Sequence, residues 1–535
     1  MNALSVAAAG GTPWLTVAGG IPLLGAIVVS VLPVRFAKVT TLLVSLVDLV
    51  WVIIMATQFN TSGPTFQFTE DYSWIPQFGV HYALGVDGIA LVLIGMTAVL
   101  MPVVVLASWH DADGPVDSGE AIPRTPREVR RSPRAYFALM LALDTMMIGT
   151  FAATDVFLFY VFFEAMLVPM YFMIGSFGVG QRQYAAVKFL LYGLLGGLLM
   201  LVALIALYVY AGQSAATGHH GTFMFYTLTH VVLSSTVQKW LFLGFFIAFA
   251  IKAPLWPFHT WLPDASASAQ PGAAVLMLGV MDKVGTFGMI RYCLELFPAG
   301  FHYFTPLILV LAVISIIYGA IVAIGQASMK RLIGYTSVSH FGLIVLGIFV
   351  LTSQGQSGAM LYMVNHGFAT GALFLLAGFM IVRRGSDRID DYGGMQKVAP
   401  VLAGLFLVSC LAGLSLPGLN TFVSEFLVLV GTFSRYKVAG SFAVSGIILA
   451  SIYMLWLYQR TMTGPTVESV KTMPDLRVRE LLAVVPLVAL IIGIGVYPKP
   501  VLDVINPAVK ATMSQVGSTD PVPAHPAAAQ NGAQP

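Results

Sequence analysis

The chain has 535 residues, of which 58% are hydrophobic and only 10% charged, against roughly 25% charged in an ordinary soluble domain. Apolar runs repeatedly exceed the roughly 20 residues that cross a bilayer, which excludes a soluble enzyme and defines an all-α polytopic membrane protein. A net charge of +3 excludes the basic surface of a nucleic-acid binder, and two cysteines, Cys293 and Cys410, both in apolar runs, exclude a disulfide framework or a four-cysteine iron–sulfur site.

The first 34 residues hold no Lys or Arg, so the first apolar stretch lacks the charged start of a cleavable signal and reads as a retained span. Apolar runs between charged or Pro/Gly-rich breaks predict about fourteen helices, centred at about residues 23, 48, 96, 143, 167, 199, 250, 283, 314, 342, 370, 418, 449 and 489. Connections after odd-numbered spans carry most of the basic residues, among them Arg35, Lys38, Arg182, Lys188, Lys330, Arg331, Arg383, Arg384 and the cluster Arg124, Arg127, Arg130, Arg131 and Arg134. The opposite side carries Lys239, Arg291, Arg435, Lys437, Lys499 and Lys510, so the positive-inside rule predicts both termini on the outer, non-cytoplasmic side. The loop from 110 to 134 balances five acids against five arginines, the pattern of a solvated, self-neutralising loop. The tail from about residue 508, ending "PVPAHPAAAQNGAQP", lacks apolar periodicity and is expected to be disordered.

Two spans are interrupted at their centres, the seventh by Pro254 and Pro257 and the twelfth by "LPG" at 416 to 418. They lie five spans apart, an odd number, so units made of spans four to eight and nine to thirteen run through the membrane in opposite directions. Matching breaks in two such inverted repeats point to a transport site, because unwound backbone near the midplane meets ions and water. The expected division is 1–132 for spans one to three and a cytoplasmic loop, 133–300 and 301–465 for the two repeats, 466–507 for span fourteen, and 508–535 for the tail.

Ionisable residues deep in these spans are the candidate site. Lys252 lies 13 residues after Lys239 and 12 before Asp264, roughly 18 to 20 Å from either if helical, too far to snorkel. A charge at that depth costs about 2.5 to 3.5 kcal/mol or more and calls for a partner. Glu164, in "FFEAMLVPMYFMIG", is the carboxylate expected beside it. Lys283 and Asp282, in "GVMDKVGTFGMIRY", are adjacent, point about 100° apart and must each look to a different helix. His340 in "SVSHFG" and His366 in "VNHGFATG" fall mid-span without metal-site spacing. Glu425 stands in the broken twelfth span, at the place Lys252 holds in the first repeat. Asp48 and Asp144 lie outside this pattern and read as interhelical glue.

The strings "FFEAMLVPMYFMIG", "KAPLWPFHTWLPDA", "SMKRLIGYTSVSHFG", "NHGFATGALFLLAG" and "SLPGLNTFVSEFLVL" together resemble the antiporter-like membrane subunits of the proton-pumping NADH:quinone oxidoreductase, respiratory complex I, over about residues 84 to 462. Glu425 resembles one branch of that family, since the sister subunits L and N and the Mrp-type antiporters usually carry lysine there. Ser266 departs from the family's "WLPDAH", and Asp282 has no place in its pattern. The resemblance implies a redox-inactive, proton-translocating subunit in a bacterial cell (inner) membrane. Its proton relay would run through Glu164, Lys252, Lys283, His340, His366 and Glu425. FMN, iron–sulfur clusters and quinone are expected in partner subunits, with the sister subunits L and N as the main contacts. The residues agree: no glycine-rich dinucleotide fingerprint follows a strand. Moving Glu164 toward or away from Lys252 would change the proton's free energy there by roughly 4 kcal/mol, against roughly 3.5 kcal/mol for one charge at about 150 mV. The alternatives are an Mrp-type cation/proton antiporter subunit and a non-conducting scaffold subunit.

Overall fold

The computed structural model describes residues 11–113 and 132–521; most of the charged loop and the end of the tail lie outside the described residues. Helices α1 (Trp14–Val31) and α2 (Val34–Thr57) turn about Pro33 and expose most of their surface, only 33% and 28% of their apolar windows being buried inside the protein. Such outward faces remain apolar because lipid, not water, surrounds them.

A hairpin of β1 (Gln67–Ile75) and β2 (Val80–Val86) follows, antiparallel, with Tyr72 opposite Tyr82. It adds a small sheet to the expected all-helical architecture. Asp87 then caps α3 (Gly88–Ala107) by accepting from the Ala90 N–H at 2.9 Å. After α4 (Pro133–Ala152) the fifth span is made of two helices, α5 (Val156–Ala165) and α6 (Leu167–Phe177), separated at Met166. This break was not expected. Pro169 cannot donate to the carbonyl four residues back, which loosens the ladder there.

Helix α7 (Arg182–Gly212) and the single turn α8 (Phe225–Leu228) lead to α9 (Ser235–Lys252) and α10 (Trp261–Ser268), the two halves of the interrupted seventh span. The break is braced locally. The Ile251 carbonyl accepts the Trp261 indole N–H at 2.9 Å, and the Leu255 N–H reaches the Ala250 carbonyl at 3.0 Å. The eighth span runs through α11 (Pro271–Leu276), a π-helical stretch Met277–Met281, α12 (Lys283–Gly288) and a second π-helical stretch Met289–Leu294.

The second half contains α13 (Pro298–Ile324), α14 (Met329–Phe349) and α15 (Ser353–Arg384), then α16 (Pro400–Gly413) and α17 (Asn420–Arg435) across the second break, and α18 (Lys437–Met462) and α19 (Val478–Val496). Among the described residues twelve spans are long and apolar enough to cross a membrane. The broken pairs α9/α10 and α16/α17 complete the fourteen expected. Helix α20 (Lys499–Gln515) follows, which corrects the expectation of disorder for residues 508–515: Ile505, Ala508, Val509, Thr512 and Met513 are buried, and α20 packs on α3 and α15.

Three spans are enclosed by the others: Pro271–Leu294 is 100% buried, and the apolar windows of α14 and α15 are each 94% buried. Helix α15 touches α3, α11, α14, α16, α17, α19 and α20. The centre of the molecule is therefore an enclosed axis between the two breaks.

Candidate functional site

Lys252 is the last residue of α9, placed where the helix opens. It is 2% exposed, its Nζ has no hydrogen-bond partner, and it stands 4.7 Å from the centre of the Phe163 ring. Glu164, next to that phenylalanine, ends α5 just before its own break. Its carboxylate rests on α7 at Gly197, where a Cβ would come within 1.8 Å of Oε1, so only glycine leaves room. Glu164 and Lys252 lie within electrostatic range, yet no ion pair shorter than 4.0 Å joins them among the described residues. The expected partners are neighbours held apart.

Lys283 begins α12 between the two π-helical stretches. Its Nζ donates to the Leu278 carbonyl and sits 2.7 Å from His366 Nδ1 on α15. Stretches of π-helix widen a turn and recur at functional positions. Asp282, beside it, is fully buried with neither oxygen partnered.

The His366 and His340 rings lie 5.3 Å apart, nearly perpendicular. A cavity of about 10 Å³ beside them is lined by His340, His366, Thr370, Gly413, Thr421 and Met454, room for about one water. His340 Nε2 is 3.3 Å from the Tyr453 hydroxyl, and its ring is 5.8 Å from that of Tyr362. The Tyr362 hydroxyl donates to Glu425 Oε1 on α17, where Glu425 is 3% exposed. Asn365 holds the second break to α15: its amide donates to the Asn420 carbonyl at 2.7 Å, and the Asn420 amide returns a bond to the Asn365 carbonyl at 3.1 Å.

The six sequence-selected residues thus follow one another in the order Glu164, Lys252, Lys283, His366, His340 and Glu425, all buried except the half-buried Glu164. Tyr362 and Tyr453, which bridge the histidines to Glu425, were not anticipated. A signal for Tyr362 existed, because it precedes His366 by four residues, one helical turn on the same face. His259, inside the first break, was also missed; it is 2% exposed, both ring nitrogens lack partners, and its ring meets Tyr318 at 5.1 Å. Asp48 and Asp144 are fully buried and none of their four oxygens has a hydrogen-bond partner, so the expected role as interhelical glue is not what the structure displays.

Two clusters of ion pairs tie the surrounding helices together. Asp264 binds Lys188 at 2.7 Å and Arg331 at 2.8 Å, tying α10 to α7 and α14. In the second cluster Arg291 meets Asp87 at 2.6 Å and Glu295 at 3.4 Å, and the Thr512 hydroxyl donates to Glu295 at 2.6 Å.

Comparison with known proteins locates this arrangement. A family model described as NADH:quinone oxidoreductase/Mrp antiporter, TM matches residues 153–450, both breaks included. NADH-quinone oxidoreductase subunit M of Mycobacterium tuberculosis is 55% identical, over 96% of this chain and 97% of that protein. A chain of respiratory complex I from Thermus thermophilus with bound NADH superposes with a TM-score of 0.83 at 29% identity, covering 94% of this chain and 100% of that one. A chain of the Mrp complex from Dietzia sp. DQ12-45-1b gives a TM-score of 0.79 at 20% identity, covering 94% of this chain and 99% of that one, a likeness of fold.

Proposed function

The chain belongs to the NADH:quinone oxidoreductase/Mrp antiporter membrane family, in its subunit M group, and from that premise we propose that it moves protons across the membrane along the line from Glu164 to Glu425, driven by electron transfer in other subunits. The observation that carries this reading is continuity. From Lys283 to Glu425 each group has the next within a hydrogen bond or a ring contact, at 2.7 Å between Lys283 and His366, 5.3 Å between the imidazole rings, 5.8 Å between the His340 and Tyr362 rings, and through the hydrogen bond from the Tyr362 hydroxyl to Glu425. A purely structural set of buried charges would be closed into ion pairs, as Arg291 is with Asp87 and Glu295. The line from Lys252 to Glu425 is left open.

In this mechanism protons are taken up near Lys252, pass through Lys283, His366 and His340 with intervening water, and leave near Glu425. Glu164 is the switch. A unit charge approaching to about 4 Å at an effective dielectric near 20 contributes about 4 kcal/mol, of the size needed to carry one charge against about 150 mV, roughly 3.5 kcal/mol. The sister subunits L and N are its neighbours in this reading, FMN, iron–sulfur clusters and quinone sit in other subunits, and both termini face the outer side.

The test is the assembled complex in sealed vesicles. Glu164→Gln and Lys252→Ala should assemble while NADH-driven acidification, and the quinone reduction coupled to it, fall at least tenfold. Variants that pump like the parent would support a non-conducting scaffold. Recovery of the chain as a lone, active cation/proton antiporter would replace the reading altogether.

A further inference from the structure

Between Lys252 on α9 and Lys283 on the eighth span the line has an interval that no hydrogen bond or ring contact spans among the described residues. We propose that Asp282 bridges it, accepting a proton from the Lys252 side and delivering it to Lys283; this rests on the proton-translocating reading above.

The geometry follows from one helical turn. Three residues after Asp282, Gly285 presses against the open end of α9: a Cβ there would lie 2.6 Å from the Ala253 nitrogen and 2.6 Å from the Phe249 carbonyl oxygen. Residues three apart share a helix face, so Asp282 is turned toward the end of α9 that carries Lys252. Lys283, about 100° further round, is turned the other way, its Nζ at the Leu278 carbonyl and 2.7 Å from His366 Nδ1. Two consecutive residues thus serve the two halves of the molecule. The π-helical stretch Met277–Met281 ends at Asp282, whose N–H reaches the Met277 carbonyl at 3.0 Å, and this register sets the pair between the breaks.

The state of the carboxyl points the same way. Asp282 is 0% exposed, and neither oxygen has a hydrogen-bond partner. It is in electrostatic range of both Lys252 and Lys283, but no ion pair within 4.0 Å closes on either among the described residues. A carboxyl kept for stability at such a site would be paired or hydrogen-bonded, since an unpaired buried charge is strongly destabilising. An unpartnered carboxyl between two amines fits a group that alternates between its neutral and ionised forms.

The transfer balances without any other reactant. The Lys252 ammonium breaks an N–H bond and the Asp282 carboxylate gains an O–H bond, through a bridging water, leaving a neutral amine and a neutral acid. The Asp282 O–H bond then breaks as the Lys283 amine gains the proton, which restores the carboxylate and makes the second ammonium. No net charge rests on the interval midway through the step.

The test compares Asp282→Asn, Asp282→Leu and Asp282→Glu with Lys252→Ala, all in the purified complex in sealed vesicles. The Asn variant matches the volume of the acid, assembly of the bulkier Leu variant is checked by native electrophoresis, and each assembled variant should lower NADH-driven acidification about tenfold with a larger solvent deuterium isotope effect. The Glu variant should return it to within about twofold of the parent. If Lys252→Ala abolishes acidification while Asn and Leu at 282 leave both the rate and the isotope effect unchanged, Asp282 is not on the path and the wider reading survives. If Lys252→Ala also pumps normally, the wider reading fails and this inference with it.

Discussion

Replacing Tyr362 by Phe removes one oxygen from the far end of the line and leaves the ring in place. The Tyr362 hydroxyl donates to Glu425 Oε1, with Tyr362 fully buried and Glu425 3% exposed. A hydrogen bond to an ionised group contributes about 1.5 to 3 kcal/mol, so ionising Glu425 becomes harder by that amount. At about 1.36 kcal/mol per factor of ten, proton release should slow about 10- to 150-fold. The ring contact with His340 at 5.8 Å is retained, which keeps packing, and therefore assembly, unchanged. Native electrophoresis would check assembly, and a pH-sensitive dye in sealed vesicles would report acidification during NADH oxidation. Tyr453→Phe is the internal comparison: its 3.3 Å contact is with the neutral-capable His340, and neutral hydrogen bonds contribute about 0.5 to 1.5 kcal/mol, so its effect should be smaller. A Tyr362→Phe complex that acidifies vesicles within twofold of the parent would refute the assignment of this hydroxyl to the path.

Glu425→Gln keeps size and polarity but cannot release a proton, and is expected to stop acidification with the complex intact; Glu425→Asp, one methylene shorter, should retain part of it, and equal rates in the two variants would contradict the role given to the carboxyl. Arg291→Met leaves Asp87 and Glu295 buried without their cation, which should cost about 3 to 5 kcal/mol and appear as a lowered thermal-inactivation temperature of the complex; an unchanged temperature would show that this cluster is relaxed by water.

The sequence made the spans and the two midplane breaks legible for a simple reason: Pro254 and Pro257 each delete a donor inside an otherwise apolar run, as the "LPG" at 416 to 418 also signals. The break at Met166 is marked only by Pro169, three residues on, a place the first turn of a helix tolerates, so the sequence did not announce it as a break. The π-helical stretches around Lys283 depend on packing against α9 and α15 and leave no periodic trace. The hairpin was overlooked because two short strands cannot be separated from a loop by hydropathy, although "FQFTEDYSW" alternates aromatic and polar residues. Depth, together with the matched breaks and the family strings, selected the six relay residues, because an ionisable group far from any charged flank is costly wherever it points. It could not select Tyr362 or Tyr453, which cost little in an apolar span and declare themselves only through their partners.

On the proposed proton path, the two breaks would solve opposite halves of one electrostatic problem. An enclosed axis is needed, because a continuous water file across the membrane would let protons run back down their gradient; the fully buried eighth span and the 94% buried windows of α14 and α15 provide that enclosure. A fully dry axis could not hold charge at all, since desolvating an ion there costs several kcal/mol. Opening α9 at Lys252, and the twelfth span between Gly413 and Asn420 just before Glu425, frees backbone dipoles at the two points where the proposed path would exchange charge with the outside. Between them the proposed path would run through side chains, and no hydrogen bond joins Lys252 to Lys283 among the described residues. A carboxyl there, at Asp282, would divide that step and keep the interval neutral during it, so that the open ends and the closed middle could coexist in one proposed path.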